Sequence, residues 1–433
     1  MALIILNSLF WFFLIIVGFS REGLRYFLNP RLVVGLAIII SFSSIPDRNE
    51  VNVGVSLLVS TFFILLGLGK KEIKIHGLEG ANPRFLSDSK AQNIFLLVCI
   101  IFSLLNFTNL FILGLSPAEI LLKFRTHIDI DYYQNTNALK SFIEAFNLFP
   151  VWGLAIGRVW FHTNGNKFTK LIWVILFILV LLTKFSTGTR GYLVAVLFCI
   201  LIVDVFVEFR FGLHVLAKNK AFYILLLSLV LTGALFLTVF RTQKFYSIGD
   251  VVDSVEETLF LEKSERMIAE DYSIKCNGAI SYLMDNYLLE PNYFQGIYAQ
   301  LVNPVPRLVW GNKPYDFGRI LAHEMMGAPL EGQYSYGFSG GVVGEAIYNG
   351  GIFGILIFSF LMGKIFSFVE REIKQGFNII HITSAILFLD WGYFLIRGTW
   401  LTGFNFPLYN CLFAGLVLWV VGWIVRMQRV FLR

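Results

Sequence analysis

The fold is decided by residues 171–207, which read LIWVILFILVLLTKFSTGTRGYLVAVLFCILIVDVFV. Two apolar runs in this stretch, Leu171–Phe185 and Tyr192–Val207, predict a pair of membrane helices. The turn between them, residues 186–191, consists of glycine and small hydroxyl residues and carries Arg190. The local prediction is therefore a membrane hairpin with an arginine at its tip.

Arg190 has two interpretations. An arginine at the centre of a spanning helix costs about 2.5–3.5 kcal/mol, so arginines in or beside the hydrocarbon usually face a cavity or an anion. The alternative is an ordinary positive flank whose guanidinium snorkels to the interface. Flanking arginines concentrate on the cytoplasmic side. The topology derived below places Arg190 on the opposite side, which favours a functional role.

The composition excludes a soluble globular chain. Hydrophobic residues make up 56% and charged residues 15%, with a mean hydropathy of +0.69, whereas about a quarter of a soluble protein is charged. We predict an all-α polytopic membrane protein with about eleven transmembrane helices, the first of them retained rather than cleaved as a signal peptide. The apolar runs are Leu3–Phe19, Leu32–Ile45, Val51–Gly69, Asn93–Leu115, Leu139–Val159, Leu171–Phe185, Tyr192–Val207, Ala221–Phe240, Gly340–Phe366, His381–Ile396 and Phe404–Val425.

The distribution of lysine and arginine predicts the orientation. Loops after odd-numbered helices, together with the C-terminal tail, carry 20 of these residues, whereas the short loops of opposite parity carry seven. The positive-inside rule then places the N-terminus outside and the C-terminus in the cytoplasm. The net charge of +6 follows from this bias and does not indicate nucleic-acid binding.

The predicted organisation has three parts within one integrated domain. Residues 1–240 form a first bundle of about eight helices, and residues 339–433 form about three more. Between them, residues 241–338 form one long outer loop that contains amphipathic helices. The first half of this loop is acidic with a helical apolar pattern, which is typical of a helix lying on the membrane surface.

Two later stretches carry candidate site residues. The stretch NPVPRLVWGNKP at 303–314 holds Arg307 and Lys313 on a backbone restricted by three prolines, and Arg319 follows. One interpretation is a rigid interfacial loop whose cations contact lipid phosphates. The other is a binding site for a phosphate or a sugar. The glycine-rich start of the next run carries Glu345, a carboxylate that needs a partner or water inside a membrane. It is either a functional group or one half of a structural ion pair.

The stretch KFRTHIDIDYY at 123–133, with Arg125 and Tyr132, is a secondary candidate. Charges mixed with aromatic side chains on the outer face suit a sugar-binding surface. An aromatic belt at the membrane interface explains the tyrosines equally well. The six histidines are scattered over both faces, so the sequence predicts no metal site, and we expect no cofactor.

Together these motifs resemble the oligosaccharide repeat-unit polymerases of bacterial O-antigen and capsule synthesis, the Wzy family, and more distantly the O-antigen ligases. The resemblance rests on four matches over most of the chain. They are Thr187-Gly188-Thr189-Arg190-Gly191, Phe240-Arg241, Pro306-Arg307 with Lys313-Pro314, and Gly344-Glu345 with Gly351 and Gly354.

The resemblance implies a glycosyltransferase-C-like fold in the bacterial inner membrane. It implies transfer of a growing glycan from undecaprenyl pyrophosphate to a repeat unit held on a second carrier. The partners that it implies are the two lipid-linked substrates and membrane lipid, with a flippase and a chain-length regulator as further candidates.

The chemistry of the transfer suggests roles for individual residues. Arg190 and Arg241 are candidates for neutralising the pyrophosphate leaving group, since arginine grips phosphate bidentately. Arg307, Lys313 and Arg319, with Arg125 and Tyr132, are the candidate substrate-binding residues. The acceptor hydroxyl needs a base, for which Glu345 and His323 are the candidates. We expect Arg190, Arg241 and Arg307 to converge on one outward-facing cavity close to Glu345.

Two other functional classes remain open. A lipid-linked oligosaccharide flippase would also be polytopic and would also handle anions. It would be expected to have short loops and internal two-fold symmetry, which the sequence does not display. A structural or sensory membrane protein leaves Arg190, Arg241 and Glu345 without an explanation.

Overall fold

The structure is a computed structural model that describes residues 2–42, 50–69, 89–111, 146–163, 166–186, 190–218, 220–224, 228, 272–302, 310–327, 329–330, 340–376, 379–397 and 406–431. Its helices are α1 Ala2–Glu22, α2 Pro30–Phe42, α3 Glu50–Leu68, α4 Ser89–Phe111, α5 Phe149–Thr163, α6 Lys167–Ser186, α7 Arg190–Phe211, α8 Val215–Lys218, α9 Tyr272–Tyr287, α10 Gln295–Leu301, α11 Phe317–Met326, α12 Gly341–Gln375, α13 Ile379–Arg397 and α14 Phe406–Phe431. A 3-10 helix, Gly23–Leu28, follows α1.

The described residues contain helices and no strand. Five helical stretches among them are long and apolar enough to cross a membrane: Ala2–Leu28, Glu50–Leu68, Ser89–Asn106, Gly341–Gln375 and Pro407–Gln428. A helix satisfies its own backbone hydrogen bonds, which a segment in hydrocarbon requires. The prediction of an α-helical membrane protein is confirmed at this level.

The fifth predicted helix starts later than the sequence analysis expected. The run Leu139–Val159 was expected to be one helix, but residues 146–148 form a turn and α5 starts at Phe149. Pro150 then lies in the first helical turn, where its missing N–H has no partner to lose. The run Ala221–Phe240 lies largely outside the described residues.

Helix α12 continues nine residues beyond the predicted Phe366, to Gln375. Its last turns contain several charged residues, so the hydropathy pattern predicted a loop there. Val369 and Ile373 are nevertheless buried in these turns. Lys374 Nζ adds ion pairs there, since it lies 2.7 Å from Glu370 Oε1, one turn earlier, and 3.8 Å from Glu22 Oε2.

The chain divides into two compact units. The first comprises Met1–Lys74, Glu262–Lys374 and Phe388–Pro407, and the second comprises Ile75–Leu261, Gln375–Leu387 and Leu408–Arg433.

Small residues bring helices of the first unit into close contact. Ser60 Oγ of α3 lies 2.7 Å from Ser359 Oγ of α12. A Cβ atom added to Gly67 would lie 2.9 Å from the Gly363 Cα atom, so these two backbones touch. Without a hydrophobic driving force between helices, membrane interfaces depend on this close van der Waals packing and on interhelical hydrogen bonds.

Helix α9 is buried in the first unit, although it belongs to the predicted outer loop. Ala279, Ile280 and Leu283 have no exposed surface. Asn277 Nδ2 donates to the carbonyl oxygen of Phe42, at the end of α2, over 3.2 Å. The acidic stretch 250–271, which was predicted to lie on the membrane surface, is outside the described residues, so that prediction stays a prediction. Helix α9 follows it in the chain with one face buried and with Asp285 and Asn286 exposed.

The second unit is built around packed aromatic and small residues of α4 to α7. The Phe95 ring of α4 lies in edge contact with Phe149, Trp152 and Trp160 of α5, at 5.7–5.9 Å between centroids. Gly157 of α5 lets the neighbouring helices approach, since a Cβ atom there would lie 2.7 Å from the nearest atom of Trp173.

A buried ionic cluster joins α5 and α7 in this unit. Arg158 Nε and Nη2 donate to the two carboxylate oxygens of Asp204 at 2.8 and 2.7 Å. His162 Nε2 lies 3.0 Å from Asp204 Oδ1, and the Tyr223 hydroxyl donates to Oδ2. The Arg158 guanidinium also lies 4.8 Å from the Trp173 ring centroid. Arg158 is one of the 20 loop cations counted in the prediction of the orientation, but its side chain is 4% exposed, because Asp204 neutralises it between α5 and α7.

Candidate functional site

The candidate site begins at Glu345 in the first turns of α12, where the side chain is 0% exposed. Glycines explain how protein encloses it. A Cβ atom on Gly344 would lie 3.0 Å from Leu283 Cδ1 of α9, and one on Gly341 would lie 2.8 Å from the Ile396 carbonyl oxygen of α13. Because these positions lack side chains, both neighbouring helices approach the backbone on either side of the carboxylate.

Helix α12 is kinked at Gly351, which has φ 58° and ψ −139°, a conformation that only glycine adopts without strain. The kink frees carbonyl groups at the end of the first helical part. The Tyr348 carbonyl accepts from Asn292 N at 2.8 Å, and the Asn349 carbonyl accepts from Phe294 N at 3.1 Å. The segment between α9 and α10 therefore satisfies the backbone groups that the kink leaves open.

The side chain of Asn349 fastens the same segment. Its Oδ1 accepts from Ile297 N at 3.2 Å, and its Nδ2 donates to the Glu345 backbone carbonyl at 2.9 Å. Gly296 is needed here, because a Cβ atom there would lie 2.7 Å from Asn349 Oδ1. Asn349 thus links the start of α10 to the turn that carries Glu345.

Helix α9 runs in the same direction as the first part of α12. Leu283 packs at Gly340, 3.3 Å from a Cβ atom placed there. Five residues later, the Leu288 carbonyl accepts from Ile352 N at 3.3 Å. The two helices therefore descend together from Gly340 to the kink.

A strained aromatic turn follows α9. Tyr293 and Phe294 have positive φ values of 40° and 67°, which non-glycine residues rarely adopt and which cost about 1–3 kcal/mol each. Their side chains are nevertheless 77% and 54% exposed. Nearby, the Tyr298 ring lies 6.4 Å from the Trp310 ring. We call these four side chains the aromatic surface.

Helix α11 carries two predicted site residues next to its N-terminus. Asp316 caps the helix by accepting from Arg319 N at 3.2 Å, and its other carboxylate oxygen lies 3.4 Å from Arg319 Nε. Arg319 is therefore partly neutralised by its own cap while its side chain remains 37% exposed. His323 is exposed on the following turn, and Lys313, before the helix, is buried.

Glu324, next to His323, accepts hydrogen bonds from two phenols of α9. Tyr287 donates to Oε1 at 2.6 Å and Tyr282 to Oε2 at 3.5 Å. The Tyr287 ring contacts the Tyr348 ring at 5.0 Å, and Tyr348 in turn contacts Phe317 of α11 at 5.0 Å. This chain of rings packs the start of α11 against α12, three residues after Glu345.

The structure therefore brings Glu345, Lys313, Arg319 and His323 into one unit. Other predicted site residues, Arg125, Tyr132, Arg241 and Arg307, lie outside the described residues. Arg190 is the first residue of α7 in the second unit, and its side chain lies outside the described part. The predicted convergence of Arg190, Arg241 and Arg307 stays a prediction.

Sequence reasoning missed Asn349, Glu324 and Tyr287. The four-residue spacing of Glu345 and Asn349, one helical turn, was a usable signal for their contact. The partnership of Glu324 with Tyr287 had no such signal, because the two residues lie 37 positions apart.

Within the described ranges, no three His, Cys, Asp or Glu side chains are grouped as ligands of one metal ion would be. The chain matches no protein-family model, no curated protein and no solved structure.

Proposed function

We propose that this chain polymerises lipid-linked oligosaccharide repeat units at the outer face of a bacterial inner membrane. One observation carries the proposal. Residues 272–302 and 310–327, from the loop that parity assigns to the outside, pack against the first part of α12. The candidate base and the candidate cations Lys313 and Arg319 thereby belong to one unit.

In the proposed reaction, an acceptor hydroxyl on one repeat unit attacks the anomeric carbon of the glycan on a second carrier. The carbon–oxygen bond to pyrophosphate breaks, the new glycosidic bond forms, and undecaprenyl pyrophosphate leaves. The hydroxyl proton passes to a base. Arg190 and Arg241 neutralise the leaving group, with support from Arg307, because cations aimed at developing charge lower the barrier.

His323 and Glu345 take different parts in this proposal. His323 is exposed and can meet an incoming hydroxyl directly, whereas Glu345 is enclosed by protein. We therefore assign the proton to His323 and a positioning role to Glu345, which acts through its own helical turn. The aromatic surface offers exposed rings on which sugar rings of the glycan stack.

The proposed topology has eleven spans, with the N-terminus outside and the C-terminus in the cytoplasm. Single-cysteine variants at Ser254 and Ser367 should label from opposite sides of the membrane. If both label from the outside, the helix count after Phe240 is wrong.

The function is tested by deleting the gene and analysing the surface polysaccharide. Loss of a polymerase leaves single repeat units, whereas loss of a flippase leaves none. Complementation with Arg190→Ala or Arg241→Ala should restore no polymer although the protein is present. Arg190→Lys should restore little, because an ammonium cannot reproduce the bidentate fork. Lys167→Ala, an exposed cation on the predicted cytoplasmic side, is the matched control and should restore normal chains. Normal polymer from Arg190→Ala would refute the pyrophosphate assignment.

A further inference from the structure

Asp390 is a buried carboxylate that the proposed reaction does not use. It lies in α13, 11 residues after Ile379 and seven before Arg397. At about 1.5 Å per residue, it is about 10 Å or more from either helix end. Its side chain is 3% exposed, and neither carboxylate oxygen has a hydrogen-bond partner within the described structure.

The helical face that carries Asp390 is buried. One turn earlier on that face, Ile386 and Leu387 have no exposed surface. Gly392, two residues further on and on the opposite side of α13, packs against the Phe366 ring of α12, 2.7 Å from a Cβ atom placed there, so α13 is covered by protein on that side as well. An isolated carboxylate in such surroundings is costly, and a buried group of this kind neutralises itself instead.

Charged groups on the helices packed around Gly392 are engaged elsewhere. Lys374 Nζ of α12 lies 2.7 Å from Glu370 Oε1, and Arg371 Nε lies 3.9 Å from Glu372 Oε1. Arg31 of α2 donates to the Gly69 carbonyl at 2.9 Å. Lys364 Nζ lies over the Phe360 ring at 5.3 Å, and Glu345 lies in the candidate site. None of these groups is bonded to Asp390.

Asp204 provides a direct contrast within the same chain. It is equally enclosed, at 0% exposure, but Arg158 grips both of its oxygens. Burial together with an ion pair keeps Asp204 as a carboxylate. Asp390 has no hydrogen-bond partner among the described residues, and binding a proton removes the charge that its burial disfavours.

We propose that Asp390 is a proton-binding site in α13, a neutral carboxylic acid at pH 7 and therefore the site at which a membrane-soluble carbodiimide modifies this protein. In that reaction the carboxyl proton moves to a carbodiimide nitrogen and the carboxylate oxygen bonds to the central carbon. The resulting O-acylisourea rearranges by an O-to-N acyl shift to a stable N-acylurea, and no group leaves. Ionised carboxylates do not react in this way, so the reagent reports the bound proton. This inference is independent of the proposed glycan transfer.

The test uses the full chain purified in lipid nanodiscs and treated with dicyclohexylcarbodiimide at pH 7. Peptide mass spectrometry should locate the adduct on Asp390 and none on Asp204. Asp390→Asn should lose the adduct completely, whereas Glu372→Gln, which changes a partly exposed carboxylate of α12, should keep it. Sodium chloride added before the reagent should not slow the labelling. Slower labelling in sodium would mean that a metal cation occupies the site, and the proposal would be wrong.

Infrared spectroscopy supplies a measurement that does not depend on reagent access. The unmodified protein should have a carbonyl-stretch band of a protonated carboxylic acid that is missing from Asp390→Asn and retained in Asp390→Glu. If Asp390→Asn removes a carboxylate band instead, Asp390 is ionised and the proposal is refuted. An adduct confined to other carboxyl groups, with no acid band assigned to Asp390, would refute it as well.

Discussion

Replacing Asp204 by asparagine should strongly destabilise the second unit. The change removes the charge that neutralises Arg158 but keeps the side-chain volume, so the guanidinium stays 4% exposed with no counter-ion. Breaking a buried pair in this way costs about 3–5 kcal/mol, because one charge is left uncompensated. For a unit of this size, about 2–4 °C of melting temperature is lost per kcal/mol. The expected fall is therefore about 6–20 °C.

The assay is thermal unfolding of the purified protein, followed by tryptophan fluorescence or by loss of monodisperse protein after heating. Arg319→Ala is the matched control, since it breaks an ion pair whose side chains are 37% and 21% exposed. Solvent screens such pairs, and their loss costs about 0.2–1 kcal/mol.

A double substitution separates the ion pair from the volume it fills. Arg158→Met with Asp204→Leu removes both charges, and apolar replacements of buried pairs are often neutral or stabilising. The double variant should therefore melt well above Asp204→Asn. Two results would show that the cluster does not stabilise the unit through charge pairing. One is a double variant with a melting temperature as low as that of Asp204→Asn. The other is an Asp204→Asn variant with the same melting temperature as the Arg319→Ala control.

Three further outcomes are expected. Gly351→Ala should lower the melting temperature, because a φ of 58° is strained for alanine and the added methyl group would overlap the Leu288 carbonyl. Gly350→Ala is the control and should not lower it, because no atom lies within 4 Å of a Cβ atom there. Equal melting temperatures of the two variants would contradict the kink geometry. Tyr287→Phe should destabilise the protein by about 0.5–1.5 kcal/mol in chemical unfolding through loss of the bond to Glu324, and no change would mean that water replaces this bond. Glu345→Gln should keep partial polymer synthesis in complemented cells if it positions rather than abstracts a proton; complete loss with intact protein would assign the base to Glu345.

Apolar run length predicted the described helices well. Runs such as Val51–Gly69 have no alternative inside a bilayer, because only a helix satisfies its own backbone there. The helix bounds were less predictable. Pro150 lies in the first turn of α5, which starts at Phe149. Helix α12 reaches Gln375 through turns that alternate charged residues with the buried Val369 and Ile373. The length of an apolar run shows neither feature.

The burial of α9 could not be predicted from its composition. Its sequence, YSIKCNGAISYLMDNY, is only moderately apolar, so pattern alone does not separate a surface helix from an enclosed one. Its burial depends on the neighbouring segment of the chain: Leu283 packs against Gly340, just before α12, and against Gly344 in its first turn. Likewise, Asp204 and Asp390 look the same in sequence, as single acids in apolar runs. Only the helices packed around them distinguish the two: Asp204 is paired with Arg158, and Asp390 has no hydrogen-bond partner among the described residues.

The direction of α9 fixes where the proposed chemistry can take place. Its residues descend beside α12 from Gly340 to the kink at Gly351, ten residues after the start of α12. At about 1.5 Å per residue this is about 15 Å, half of the hydrocarbon thickness. Glu345 lies four residues after that start, or about 6 Å along the helix. Under the proposed orientation, the carboxylate is therefore closer to the outer end of α12 than the kink is. The packing of Leu283 of α9 against Gly344 covers this turn with protein, so the side of α12 that carries the candidate group is lined by protein and not by lipid.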